Sequence, residues 1–154
     1  MSLSRRIIAT ISREWLGHAL RRPGIVYVCN PDNPTGTVVP RDELAGFIEL
    51  VPLATLILVD EAYYHFADDP RNASALEWVG KRPNVVVART FPKVYGMAGM
   101  RLGFAVGPKE TIAAMQGYLT QLNGNAPVLA AALATLTDED YICECRRKMN
   151  ATRR

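Results

Sequence analysis

A chain of 154 residues, 49% hydrophobic and 21% charged, has the composition of a globular domain with its own core, which excludes disordered and fibrous classes. Its net charge of +3 does not mark a nucleic-acid binder: the basic residues gather at the two ends (Arg5, Arg6, Arg13, Arg21, Arg22; Arg146, Arg147, Lys148, Arg153, Arg154) with no interleaved aromatics and no recognition motif, as on solvated helix faces. No apolar run approaches the ~18 residues of a membrane span, and the cysteines, Cys29, Cys143 and Cys145, lack zinc or redox spacing and fit a reducing, cytoplasmic compartment.

Residues 3–21 place Ile7, Ile8, Ile11, Trp15, Ala19 and Leu20 at helical spacing, which predicts an amphipathic helix ended by Pro23-Gly24. The Ser4-Arg5-Arg6 start has the outline of a twin-arginine signal, but Arg13 and Glu14 interrupt the apolar region that must follow, and the helix is the better reading. Ile25-Val26-Tyr27-Val28-Cys29 is a short apolar run of the kind that forms a strand covered on both faces. The next segment, Asn30-Pro31-Asp32-Asn33-Pro34-Thr35-Gly36, reads as an ordered loop. Residues 40–51 predict a helix with Leu44, Phe47, Ile48 and Val51 on one face. Leu56-Ile57-Leu58-Val59 is a second buried strand, closed by Asp60-Glu61. A short helix over 74–79 leads to a third strand, Val85-Val86-Val87-Ala88.

The three strands repeat at about 30 residues, the length of a strand–helix–strand crossover, which predicts an α/β fold with a mostly parallel sheet flanked by helices. Residues 102–106 give a fourth strand, and Pro108 opens a helix to about residue 119. An Asn-Gly-Asn loop separates it from a helix near 127–136, and Thr137, with Asp140 three residues on, predicts the cap of a last helix that runs into the basic tail. The whole chain reads as a single α/β domain.

In an open parallel sheet, ligands bind beyond the carboxyl ends of the strands. Asn33 follows the first strand here, Asp60 ends the second with Tyr63 close behind, and Thr90 and Lys93 follow the third. An amine held near apolar walls loses its proton at moderate cost, and once neutral it attacks a carbonyl to form a Schiff base. Arg101 is a forked cation suited to a phosphate, and Gly96, Gly99 and Gly103 let the backbone come close to a bound group. A carbonyl and a phosphate on one molecule point to pyridoxal phosphate. On that reading Asp60 is the counter-ion of a protonated pyridine nitrogen, and Tyr63 and Asn33 hydrogen-bond the phenolate oxygen. Lys93 forms the Schiff base and relays a proton, while Thr90 and Arg101 hold the phosphate. Each residue alone has a plainer reading: Lys93 as a surface lysine in a Gly-rich turn, Asp60-Glu61 as a cap, Asn33 as an Asx turn. Tyr64, His65 and Phe66 read as loop packing rather than catalysis.

Three segments carry a more specific signal through their order and spacing: Asn30-Pro31-Asp32-Asn33-Pro34-Thr35-Gly36, Val59-Asp60-Glu61-Ala62-Tyr63, and Arg89-Thr90-Phe91-Pro92-Lys93 continuing through Gly99-Met100-Arg101-Leu102-Gly103. Together they resemble the fold-type-I pyridoxal-phosphate aminotransferases of class I/II, and within them the histidinol-phosphate aminotransferase group. The resemblance implies Asn33 and Tyr63 at the cofactor's O3′, Asp60 at the ring nitrogen, Lys93 at the aldehyde carbon, and Thr90 and Arg101 at the phosphate. It also implies a fourth strand antiparallel to the others, and a ping-pong transfer of an amino group between an amino acid or amino-alcohol phosphate and a 2-oxo acid.

The chain departs from that pattern in two ways. Pro92 stands where the group usually has Ser, which removes a hydroxyl and a backbone N–H and confines Phe91 to extended backbone. The resemblance also covers only the middle of the family's pattern, from about residue 23 onward. The segment that cups the phosphate, the aromatic that stacks on the ring and the arginine that takes the substrate carboxylate are expected outside this chain, and residues 137–154 are expected to lead toward a second, smaller domain. From this follow the expectations of a homodimer or a complementing chain as partner, self-association through bare sheet edges, and poor turnover by the chain alone. A non-catalytic remnant of the same fold is the alternative. A nucleotide-binding α/β domain is disfavoured by the lack of a Gly-rich loop after the first strand.

Overall fold

The computed structural model describes residue 17 and residues 24–119 and 124–152, so the helix predicted over 3–21 lies, apart from residue 17, outside the described residues. Four strands, β1 (Ile25–Cys29), β2 (Leu56–Asp60), β3 (Val85–Thr90) and β4 (Gly103–Val106), form one sheet in the order β1-β2-β3-β4. The helices are α1 (Arg41–Leu50), α2 (Lys109–Gln116), α3 (Ala126–Thr135) and α4 (Glu139–Thr152). β1, β2 and β3 run parallel, with Cys29 beside Asp60 and Asp60 beside Ala88. β4 is antiparallel to β3, placing Gly103 beside Thr90, as the resemblance implied.

α1 is the crossover that the parallel β1–β2 pair requires. Asp42 and Glu43 lie in its first turn, where carboxylates complement the helix dipole. Its apolar stripe of Leu44, Phe47 and Ile48, continued by Val51, is buried against Val26, Val28, Ile57, Val59, Val85 and Val87, with Ala75 and Trp78 closing the cluster. Each such large side chain contributes about 1.5–3 kcal/mol relative to exposure.

The other sheet face corrects the reading of β1 as a strand covered on both sides. Ile25 is 60% exposed and Tyr27 50%, and Phe104 on β4 is also exposed. A short apolar run carries no alternation from which the uncovered face could be read. Over β3 that face is closed: Val86 is buried, and a Cβ on Gly107 would lie 2.8 Å from its Cγ2, so only glycine fits where the chain leaves β4.

Two local expectations shift. The helix predicted over 74–79 is a single 3-10 turn, Ala75–Trp78, whose Ser74 side chain accepts the Leu76 N–H. At α4 the cap is Asp138 rather than Thr137: the Asp138 carboxylate accepts the Tyr141 N–H at 3.0 Å, whereas the Thr137 hydroxyl donates back to Ala134 O at 3.1 Å. An Asp at the cap followed by Glu139 and Asp140 in the first turn suits the positive helix end better than a hydroxyl would. At α3, Asn125 caps Val128 and Pro127 sits in the first turn.

α3 and α4 build a second cluster, in which Val128 and Ala132 meet Phe91, Val94, Tyr95 and Met97 of the lysine loop, with Ile142 and Cys145 alongside. Among the described residues no helix is long and apolar enough to cross a membrane, and no group of three potential metal ligands occurs.

Candidate cofactor site

The loop after β1 is closed by its own residues. Asn30, buried, accepts the Val39 N–H at 2.8 Å and donates to Val39 O at 3.2 Å. The Asp32 N–H bonds Thr37 O, and its carboxylate receives the Thr35 hydroxyl. The Asn30–Pro31 and Asn33–Pro34 bonds are both cis. Asn30 and Asp32 thus do the turn-holding for which Asn33 had been a candidate. Asn33 itself is exposed, and its Nδ2 donates to the Tyr63 hydroxyl at 3.4 Å.

Asp60 and Glu61 separate at the end of β2 because successive side chains point to opposite faces. Asp60 accepts the Tyr27 hydroxyl at Oδ2, 2.7 Å, and the Ala62 N–H at Oδ1, 2.9 Å. Both partners are neutral donors, so the carboxylate charge is still available to a cation. Partial desolvation of the half-exposed ring, and then the bond to Asp60, push the Tyr27 phenol above its ordinary value and keep it a donor.

Glu61 turns inward and is 1% exposed. Arg89 reaches its Oε2 through Nε at 3.0 Å and Nη2 at 2.8 Å, the Ser74 hydroxyl lies 2.8 Å from the same oxygen, and the Ala75 N–H bonds Oε1. The capping of the next turn falls to Asp60 through the Ala62 N–H, whereas the Glu61 carboxylate serves a buried ion pair and the start of the distant 3-10 turn at Ala75.

Lys93 is held by its neighbours. Phe91, Val94, Tyr95 and Met97 are buried while Lys93 is exposed, so the backbone is anchored and the side chain is left free. The bonds that close the loop run from Phe91 N–H to Leu102 O, Gly96 N–H to Lys93 O and Met97 N–H to Phe91 O; none needs a donor at position 92, which is why Pro92 fits. Gly96 has φ 67°, a left-handed backbone that favours glycine, and a Cβ there would displace the exposed Tyr141 hydroxyl on α4.

Of the residues singled out from the sequence, Asn33, Tyr63 and Lys93 come together: the Lys93 Nζ lies 5.2 Å from the Tyr63 ring centroid, on the ring whose hydroxyl meets Asn33. Asp60 and Thr90 end the adjacent strands β2 and β3. Arg101 is not drawn to them. It sits in a left-handed backbone conformation, φ 52°, and its Nη1 donates to Ala98 O at 3.1 Å. A cleft of 660 Å³ opens beside Asn33 and Tyr63, walled also by Asp69, Arg71 and Met149. Asp60, Thr90, Lys93 and Arg101 are not in its wall, so it borders this constellation and does not contain it.

Several contacts were missed in the sequence. Tyr27 as the partner of Asp60 was legible in principle, since Tyr27 shares a face with Cys29, which pairs with Asp60. Arg89 as the partner of Glu61 follows from each standing one residue past the Asp60–Ala88 pair. The sequence reads His65 as loop packing. It does pack, with its ring 5.4 Å from that of Tyr95, but its Nε2 also lies 3.4 Å from the Tyr95 hydroxyl, and the Arg146 Nε donates to its carbonyl at 3.0 Å.

Burial, then the positive charges of Arg89 and Arg146, push the His65 imidazole below its ordinary value. The native state therefore prefers neutral His65 more than the unfolded chain does. This stabilisation is present above the unfolded pKa, about 6.5, and is lost as pH falls through the lower folded value. Urea midpoints at pH 7.5 and pH 5 should show a smaller acid loss in His65→Gln than in the parent; equal acid losses would remove His65 from this role.

The family model for "Aminotransferase class I and II" matches residues 10–154. The chain is 40% identical over 130 residues to histidinol-phosphate aminotransferase 2 of Legionella pneumophila (strain Lens), covering 84% of this chain and 35% of that protein. It is 42% identical over 123 residues to an aromatic amino acid aminotransferase of Thermobifida fusca (strain YX), covering 80% of this chain and 34% of that one. The chain thus spans about a third of the length of these curated relatives. Among solved structures, histidinol-phosphate aminotransferase from Sinorhizobium meliloti, in complex with pyridoxal-5'-phosphate, superposes with a TM-score of 0.83 at 34% identity, over 90% of this chain and 38% of that one. With the mixed sheet and the constellation at its carboxyl edge, these likenesses establish that the chain belongs to the class I and II aminotransferases.

Proposed function

We propose that this chain is the lysine-bearing part of the cofactor domain of a cytoplasmic, pyridoxal-phosphate-dependent aminotransferase of the histidinol-phosphate or aromatic amino acid type. The observation that carries the proposal is the meeting of Asn33, Tyr63 and Lys93 at the sheet edge where Asp60 and Thr90 end their strands. The donor set fits the cofactor: a carboxylate whose partners among the described residues are neutral, a phenol and an amide that already touch, an exposed amine over the phenol ring and two phosphate donors. When bound, pyridoxal phosphate supplies the electron sink that stabilises negative charge at the substrate carbon.

The chain's own residues supply the rest. Lys93 Nζ is the covalent anchor and, once released, the base that moves a proton at the substrate carbon. Asp60 holds a proton on the pyridine nitrogen by its charge. Tyr63 and Asn33 orient the ring through its phenolate oxygen, and Thr90 and Arg101 bind the phosphate, for which Arg101 exchanges Ala98 O as its partner. The amino donor is an amino acid or amino-alcohol phosphate and the acceptor a 2-oxo acid. α4 leads toward a second, smaller domain, and a second copy or a complementing chain completes the site.

A cofactor-binding remnant without turnover is the second reading, favoured by the chain's spanning about a third of its relatives. Mixing with pyridoxal phosphate should produce visible absorbance, and borohydride reduction should fix the label on Lys93; label on Lys81 or Lys109 instead would overturn the assignment. A coupled transamination assay separates the two readings. Asp60→Ala should weaken cofactor binding about tenfold to a hundredfold, the scale of a hydrogen bond to a charged group. An unchanged titration would remove Asp60 from the site.

A further inference from the structure

We propose that His65 and Tyr95 are positioning residues that set how Lys93 approaches Tyr63, an inference that rests on the roles given to Lys93 and Tyr63 above. Those two residues stand on separate segments, one after β2 and one after β3, and an exposed lysine does not hold the segments together. The side-chain link is made two positions further along each: His65 follows Tyr63 as Tyr95 follows Lys93. The His65 Nε2 lies 3.4 Å from the Tyr95 hydroxyl, and the rings meet edge to face at 65°. The link therefore runs beside the Lys93–Tyr63 gap and fixes its width.

Both ends are braced from behind. Tyr95 is 8% exposed and packs on Phe91, with centroids 5.2 Å apart. Arg146 of α4 donates to the His65 carbonyl at 3.0 Å, and Ile142 and Cys145 of the same helix pack against the cluster that contains Tyr95. One helix thus grips both halves of the link. The charges facing His65 are Arg89 from β3 and Arg146 from α4, which with burial favour the neutral imidazole. Burial also raises the Tyr95 phenol, and with the imidazole neutral either the phenol O–H or an Nε2–H makes the bond, according to the tautomer. Packing alone needs no hydroxyl at position 95, and a buried hydroxyl costs free energy unless it is bonded.

The test is cofactor affinity and borohydride trapping on the 154-residue chain with pyridoxal phosphate, alongside melting curves. Tyr95→Phe keeps the ring and removes the bond; it should weaken cofactor affinity and lower trapping on Lys93 about threefold to tenfold, the scale of one hydrogen bond. His65→Phe should match it, the double variant should be no worse than either single, and His65→Gln, which keeps an acceptor, should recover most of the loss. Additive losses, or Tyr95→Phe trapping Lys93 as the parent does, would refute the link while leaving the lysine assignment intact. Parent label on another lysine would sink the lysine assignment and the link with it. Should Tyr95→Phe fail to fold, the His65→Phe and His65→Gln pair decides the question from the other side.

Discussion

Lys93→Ala should abolish the visible absorbance of the cofactor-treated protein and remove the borohydride-fixed label completely, the largest effect expected of any single substitution in this chain. Lys93 is exposed, and its loop is held by the buried Phe91, Val94, Tyr95 and Met97, so the fold does not depend on the amine. Stability should change by no more than about 0.5 kcal/mol, the usual range for a surface site. Loss of the label with an unchanged melting curve therefore reports chemistry and not unfolding. Lys93→Arg sharpens the test, because it keeps the cation near the Tyr63 ring and replaces the nucleophile with a guanidinium that stays protonated. If charge were the contribution of Lys93, Arg would restore cofactor binding; if the amine is the anchor, Arg should behave as Ala does. Visible absorbance surviving in both variants would place the covalent link elsewhere.

Glu61→Ala should be the most destabilising substitution, at about 3–5 kcal/mol, the scale for removing one partner of a buried ion pair. Its carboxylate is 1% exposed and Arg89's side chain 16%, so Ala at 61 leaves a mostly buried guanidinium with the Ser74 hydroxyl at 2.9 Å and the Tyr64 ring at 4.7 Å as its remaining neighbours. The Ala75 N–H loses its acceptor at the same stroke. Domain stabilities of about 5–15 kcal/mol make a loss of this size visible in a single denaturation curve. Removing both partners in Glu61→Ala/Arg89→Ala should cost less than the sum of the two singles, because no buried charge is then stranded. A Glu61→Ala curve within 1 kcal/mol of the parent would show that the network does not hold the segment after β2 in place.

The pattern of these residues explains what could be read in advance. Leu44, Phe47 and Ile48 declare their face by spacing, and the valines of β2 and β3 declare themselves by being buried on any plausible sheet. Asn33, Tyr63 and Lys93 were legible because the carboxyl ends of parallel strands converge, so residues far apart in sequence could be assigned to one place. The exposed face of β1 was not legible, since Ile25 and Tyr27 are as apolar as the buried Val26 and Val28 beside them. Glu61 was folded into a pair with Asp60, and only strand register separates the inward carboxylate from the outward one. Thr137 was expected as the cap from its spacing to Asp140; Asp138 is an equally good cap type, and the Thr137 hydroxyl is instead turned back to Ala134 O at the end of α3.

The sheet has one further property. Its spatial order is its order along the chain, so every strand finds its partner in the next one made. The partners in each pairing lie about 30 residues apart or fewer, and loop-closure entropy rises only slowly with length, about 0.6 kcal/mol per doubling. Tyr63 and Lys93 follow consecutive strands, so the pairing of β2 with β3 brings their segments together, and the brace from α4 comes later in the chain. Once residue 106 has cleared the ribosome, β1 to β4, which precede or carry Asn33, Asp60, Tyr63, Thr90 and Lys93, are all free to pair.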